Sequence, residues 1–71
     1  MKQAEFQDKI KWVDGMNYCA VDKNGRYYQY ENEPILIDAQ IWSTCQRIKY
    51  VGTRETVADC ENWLFSKEEE L

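Results

Sequence analysis

Arg26, Tyr28 and Tyr30 stand two residues apart, and Arg47 follows later in the chain. A cation beside aromatic rings can stack a flat ligand or an unpaired base. In an extended chain this spacing puts Arg26, Tyr28 and Tyr30 on one face, with Tyr27, Gln29 and Glu31 on the other. Tyrosines therefore fall on both faces, so one face covers a core and the other is covered or used. Packed phenols with wet hydroxyls are the plainer reading. An aromatic platform for a partner or flat ligand is the sharper one, and it makes Arg26, Tyr28, Tyr30 and Arg47 the candidate surface.

Catalytic equipment is sparse. The chain has no His, which removes the commonest general base, metal ligand and partner for a nucleophilic Ser or Cys. Cys19, Cys45 and Cys60 are widely spaced, form no C-x-x-C and leave a zinc site short of a fourth ligand. Buried, unreactive thiols suit them better, with one disulfide plus one free thiol as the alternative. Three glycines write neither a dinucleotide-binding fingerprint nor a P-loop. Carboxylates such as Glu31 and Glu33 could do acid–base work only in a pocket that a chain this short has little room to build. The expectation is no enzyme, no catalytic residues, no metal and no cofactor.

The totals describe one domain over residues 1–71, near the lower size at which a chain folds without a staple. Three Trp, five Tyr and two Phe can make a small core. A core this small is often completed in a dimer, so a homo-oligomer is among the expected partners. The net charge is −4, and half of it sits in residues 67–71, an acidic end expected to fray. That balance argues against direct nucleic-acid binding and favours a basic protein partner. No signal peptide and no apolar run of about 18 residues is present, so the expectation is a cytoplasmic protein with reduced thiols and no membrane contact.

The strongest local signal is the Asn24-Gly25 dipeptide between YCAV and RYYQY. Asn tolerates positive φ and Gly has no Cβ to clash, so a two-residue type I′ hairpin turn is predicted. Phe6, Ile10 and Val13 suit a short helix to about Ile10 followed by extended chain. Asp14-Gly15 breaks that segment, and Pro34 ends the hairpin. Ile35 to Ile37 reads as a short strand, Asp38 to Gln40 as a second turn, and Cys45 to Val51 as a further strand with Ile48 and Tyr50 inward. Thr53 is a plausible helix N-cap, and Val57, Cys60 and Leu64 recur at helical spacing, predicting a helix over about 54–65. The fold class expected is α+β: an antiparallel meander of three or four strands with one or two short helices. The expected core is Val21, Tyr27, Ile35, Ile37, Trp42, Ile48, Tyr50, Val57, Cys60 and Leu64.

Residues 22–34, DKNGRYYQYENEP, fit D-x-[DN]-G-x-x-Y-x-[YF]-E-x-x-P, and Trp42 follows after a short turn. This segment resembles a loose group of small phage and prophage proteins. The resemblance spans residues 18–42 and leaves out the region of Cys60 and Trp63. It implies a phage origin, and no catalytic residue carries over. Together with the absent catalytic machinery, it suggests an interaction protein in the host cell cytoplasm. Such a protein would bind and inhibit or redirect a host factor, for example a basic, nucleic-acid-handling nuclease or a defence complex. The alternatives are an oligomeric sponge for a nucleotide-like small molecule and a structural homodimer. Salt-sensitive partner binding would mark the first reading, and a retained ligand with nucleotide-like absorbance the second.

Overall fold

Strands β1 (Tyr18–Val21) and β2 (Arg26–Tyr30) pair antiparallel, with Val21 opposite Tyr27 and Tyr18 opposite Tyr30. The computed structural model that contains them describes residues 2–44 and 48–67. The hairpin is where its turn residues place it, but the turn is not the two-residue type I′ expected. Asp22 N–H donates to Arg26 C=O at 2.8 Å, and Gly25 N–H donates to Asp22 C=O at 2.9 Å. Lys23, Asn24 and Gly25 thus form a three-residue loop with Gly25 alone at positive φ, +94°. Asn24 instead uses its side chain, whose Oδ1 accepts the Arg26 N–H at 3.0 Å. The loop is locked further because the Gly25 C=O accepts the Arg54 N–H at 2.8 Å.

Strand β5 (Ile48–Thr53) pairs with β2 on one side, and β6 (Leu64–Ser66) pairs with β1 on the other. The four-stranded antiparallel sheet has the order β5-β2-β1-β6. Strands β3 (Ile35–Ile37) and β4 (Ile41–Ser43) form a separate two-stranded sheet. Among the described residues there are thus six strands, with helix α1 (Lys2–Asp8) and one 3-10 turn at Cys60–Asn62. This is an α+β fold of antiparallel strands with more strands than the three or four expected. Between Tyr27 and Tyr28 the β5 register slips by one residue, leaving Val51 as a bulge. Gly52 lies beneath the Tyr27 ring, where an added Cβ would stand 2.7 Å from the hydroxyl.

The helix predicted over 54–65 does not form. Val57 and Cys60 are buried as their spacing suggested, yet the backbone amides find distant partners. Val57 N–H donates to Lys23 C=O at 3.2 Å, and Val21 N–H donates to Trp63 C=O at 2.9 Å. Leu64 lies opposite Ala20, so the last apolar residues close a sheet edge rather than a helical turn. Thr53 caps nothing; its hydroxyl meets the Tyr50 hydroxyl at 2.7 Å.

Both faces of the sheet are covered. On one, Val21 and Phe65 pack with Val57, Cys60 and Trp63, and Phe6 of α1 closes over them. The Phe6 ring meets Tyr27 edge-on at 5.0 Å and lies 5.6 Å from Phe65. On the other, Ala20 and Tyr30 pack beneath Trp42, with Tyr18, Tyr28 and Leu64 alongside. Leu36 touches both groups and joins them at the end of the sheet. Of the expected core, Val21, Trp42, Val57 and Cys60 are buried, while Tyr27 and Leu64 are half-buried. Ile35, Ile37, Ile48 and Tyr50 are exposed. Ile48 and Tyr50 do share a face, but β5 is an edge strand and the covering hairpin leaves them uncovered.

One buried polar residue ties the N-terminal segment down. Gln29 is fully buried, and its Oε1 accepts the Val13 N–H at 2.7 Å while its Nε2 donates to Lys11 C=O at 2.9 Å. The amide thereby satisfies two backbone groups that would otherwise be orphaned against the sheet.

Candidate functional site

The β3–β4 hairpin is built to show one face. Its register sets Ile37 opposite Ile41, Leu36 opposite Trp42 and Ile35 opposite Ser43. Alternation then turns Leu36 and Trp42 inward and Ile35, Ile37 and Ile41 outward. The three isoleucines are 68%, 43% and 51% exposed. Residues 31–44 carry Glu31, Glu33 and Asp38 and no Lys or Arg, so the segment's own charges are all acidic. At the tip, Asp38 and Ala39 both hold positive φ, +53° and +57°, and Ile37 C=O accepts the Gln40 N–H at 3.0 Å. The left-handed pair sits here, in the second turn, rather than at Asn24-Gly25.

The inward side fixes the hairpin to the body through every polar group of Trp42. Its N–H donates to Asp22 Oδ1 at 2.8 Å, its C=O accepts the Tyr30 hydroxyl at 3.0 Å, and its indole N–H donates to Cys60 C=O at 3.1 Å. Cys60 Sγ–H donates to Ala39 C=O at 3.1 Å, and Lys23 N–H donates to Gln40 C=O at 2.8 Å. Five bonds therefore reach the hairpin from the β1–β2 loop, from Tyr30 and from the 3-10 turn. A hairpin held this way is a rigid mount, which lowers the entropy lost when its outer face is covered.

Burial tunes the groups beneath it. The Asp22 carboxyl is raised by burial, with the Trp42 N–H acting against that rise. The Tyr30 phenol is pushed up by burial and by the neighbouring Asp22 charge. Burial lifts the Cys19 thiol to about 12 and raises Cys60 as well, with Glu61 adding to it. Both thiols are free and buried. Among the described residues no group of three His, Cys, Asp or Glu is placed to hold a metal ion, and no helix is long and apolar enough to cross a membrane.

The surface expected from Arg26, Tyr28, Tyr30 and Arg47 is not assembled as expected. Tyr30 is 1% exposed and belongs to the core beneath Trp42. Tyr28 is half-buried, stacked edge-on against Tyr50 at 5.3 Å, and Arg26 is exposed opposite Thr53. Arg47, like Cys45, lies outside the described residues. What sequence reasoning missed is the isoleucine face, since Ile35 and Ile37 were expected inside. Their alternation with Leu36, in phase with Trp42 across a short turn, was the signal available.

Comparison with protein-family models, with curated proteins and with solved structures finds no match for this chain.

Proposed function

We propose that this chain is a non-enzymatic interaction protein that docks through the outer face of β3–β4. The partner is a host protein with an apolar groove rimmed by basic residues, and docking inhibits or redirects it. The observation that carries this is the exposure of Ile35, Ile37 and Ile41 on a pinned hairpin whose own segment, residues 31–44, carries only acidic charge. Three large apolar side chains turned to water on a rigid element, within a segment whose charges are acidic, suit an interaction surface better than a random scatter. A nuclease or defence complex with a nucleic-acid groove has the required basic rim. Action in the host cytoplasm and a phage origin belong to the same proposal, supported by the residue 22–34 pattern. The buried Cys19 and Cys60 thiols and the lack of His support a non-catalytic role.

The test is capture from host lysate with wild-type chain and with I35T/I41T as baits, at low and high salt. A single basic protein held by the wild type, released by salt and lost with the variant supports the proposal. Recovery of the chain alone, as a dimer broken by I35T/I41T, would replace it with self-association. Equal capture by both baits would overturn it.

A further inference from the structure

The opposite face of the sheet carries a cleft of about 360 Å³ between the end of α1 and the bulge of β5. Its volume falls in the range of small-molecule sites, roughly 300–1,000 Å³. Phe6, Ile10, Tyr27 and Val51 make its walls, with the Gln29 amide and the Cys19 thiol below. Lys9, Lys11 and Arg54 complete the lining, and no carboxylate is part of it. In a chain with 13 acidic and 9 basic residues, the cleft itself is lined by three cations, and Glu5 and Glu55 stand beside Lys9 and Arg54 in the adjoining hollow. None of the three cations forms an ion pair with a carboxylate of the described residues; Arg54 donates to the Glu55 backbone C=O at 2.9 Å and lies 4.4 Å over the Trp63 ring. The strand register adds Lys49 to this face, opposite Gln29. Val51, the bulged residue two positions after Lys49, lines the cleft from β5.

We infer that this cleft binds a small phosphate monoester carrying a flat ring, of the nucleoside monophosphate kind. Three cations on one cleft exceed what one carboxylate needs and suit a dianion. Aromatic and branched walls accept the ring, and the Tyr27 hydroxyl, which has no hydrogen-bond partner among the described residues, is available to the ligand. The site lies on the sheet face away from the isoleucine hairpin, so it stands independently of the docking proposal. It also differs from the Arg26–Tyr28–Tyr30 platform, which the burial of Tyr30 removes.

The experiment is a titration of the full chain with AMP, adenosine and inorganic phosphate, read on backbone amides by NMR. AMP shifts the amides of residues 6–11 and 51–54, adenosine and phosphate bind about tenfold more weakly or less, and K9E/K11E weakens AMP by about tenfold with the spectrum otherwise retained. Should the charge reversal disturb folding, K9Q/K11Q carries the same expectation in smaller degree. AMP leaving those amides unmoved, phosphate alone matching AMP, or folded K9E/K11E or K9Q/K11Q binding as the wild type does, would each overturn the inference.

Discussion

The backbone N–H of Trp42 donates to the Asp22 carboxylate at 2.8 Å across twenty residues of chain. Through this bond the loop of the first hairpin holds the second. Asp22 is only 5% exposed and has no cationic partner in the bond, so burial raises its pKa above the ordinary 3.8. In the window above 3.8 the folded state binds more protons than the unfolded state, so Asp22 lowers stability as pH rises through that window.

Wild type should therefore gain stability relative to D22N on going from pH 7 toward pH 4. Asp59 works in the opposite sense, because hydrogen bonds from Asn62 and Trp63 depress its pKa and its contribution fades as pH falls. The difference between wild type and D22N isolates Asp22. Thermal melts of both proteins across this range check it, and a constant gap between them would contradict the account.

The two turns make opposite predictions. Gly25→Ala places a Cβ at φ +94° and drives it into the Arg54 carbonyl, so it should cost roughly 2–4 kcal/mol. Ala39 is an exposed L-residue at φ +57°, and Ala39→Gly should stabilise by about 0.5–1 kcal/mol after the glycine's extra unfolded-state freedom is counted. Denaturant midpoints of the two variants, one lower and one higher than wild type, are the check.

Cys19 and Cys60 should resist alkylation in the native protein at neutral pH. Their thiolates are scarce, since burial holds Cys19 near 12 and raises Cys60, and both side chains are almost wholly buried, Cys19 reaching only the floor of the cleft. Mass spectrometry of iodoacetamide-treated protein should find both unmodified until denaturant is added. Rapid native labelling of either would place it nearer the surface.

How much of this was legible depends on how local the signal is. Lys23, Asn24 and Gly25 write a turn with their own backbone preferences, so the β1–β2 hairpin could be read directly, though not its loop length. The short helix near the N-terminus and the Ile35–Ile37 strand were legible for the same reason. Residues 54–65 were misread because Val57 and Cys60 have a helical spacing that tertiary amide bonds to Lys23 C=O and from Val21 N–H override. The tyrosine faces were ambiguous because the sheet is covered on both sides, so alternation cannot choose between them. Gln29 carries no sequence signal at all; its burial is allowed only by the Lys11 and Val13 backbone groups that meet it. At the candidate site, Arg26 is exposed as expected and Tyr30 is not.

The central claim is that the isoleucine face docks a basic-rimmed protein, and calorimetry tests it most directly. Purified partner recovered with the wild-type chain is titrated with wild type and with I35T/I41T at two salt concentrations. Both substitutions lie on exposed positions, so the variant should melt within about 1 kcal/mol of wild type. The account predicts that the variant binds at least about tenfold more weakly and that wild-type affinity falls as salt rises. Equal affinity of the two chains, or binding that ignores salt, would contradict it.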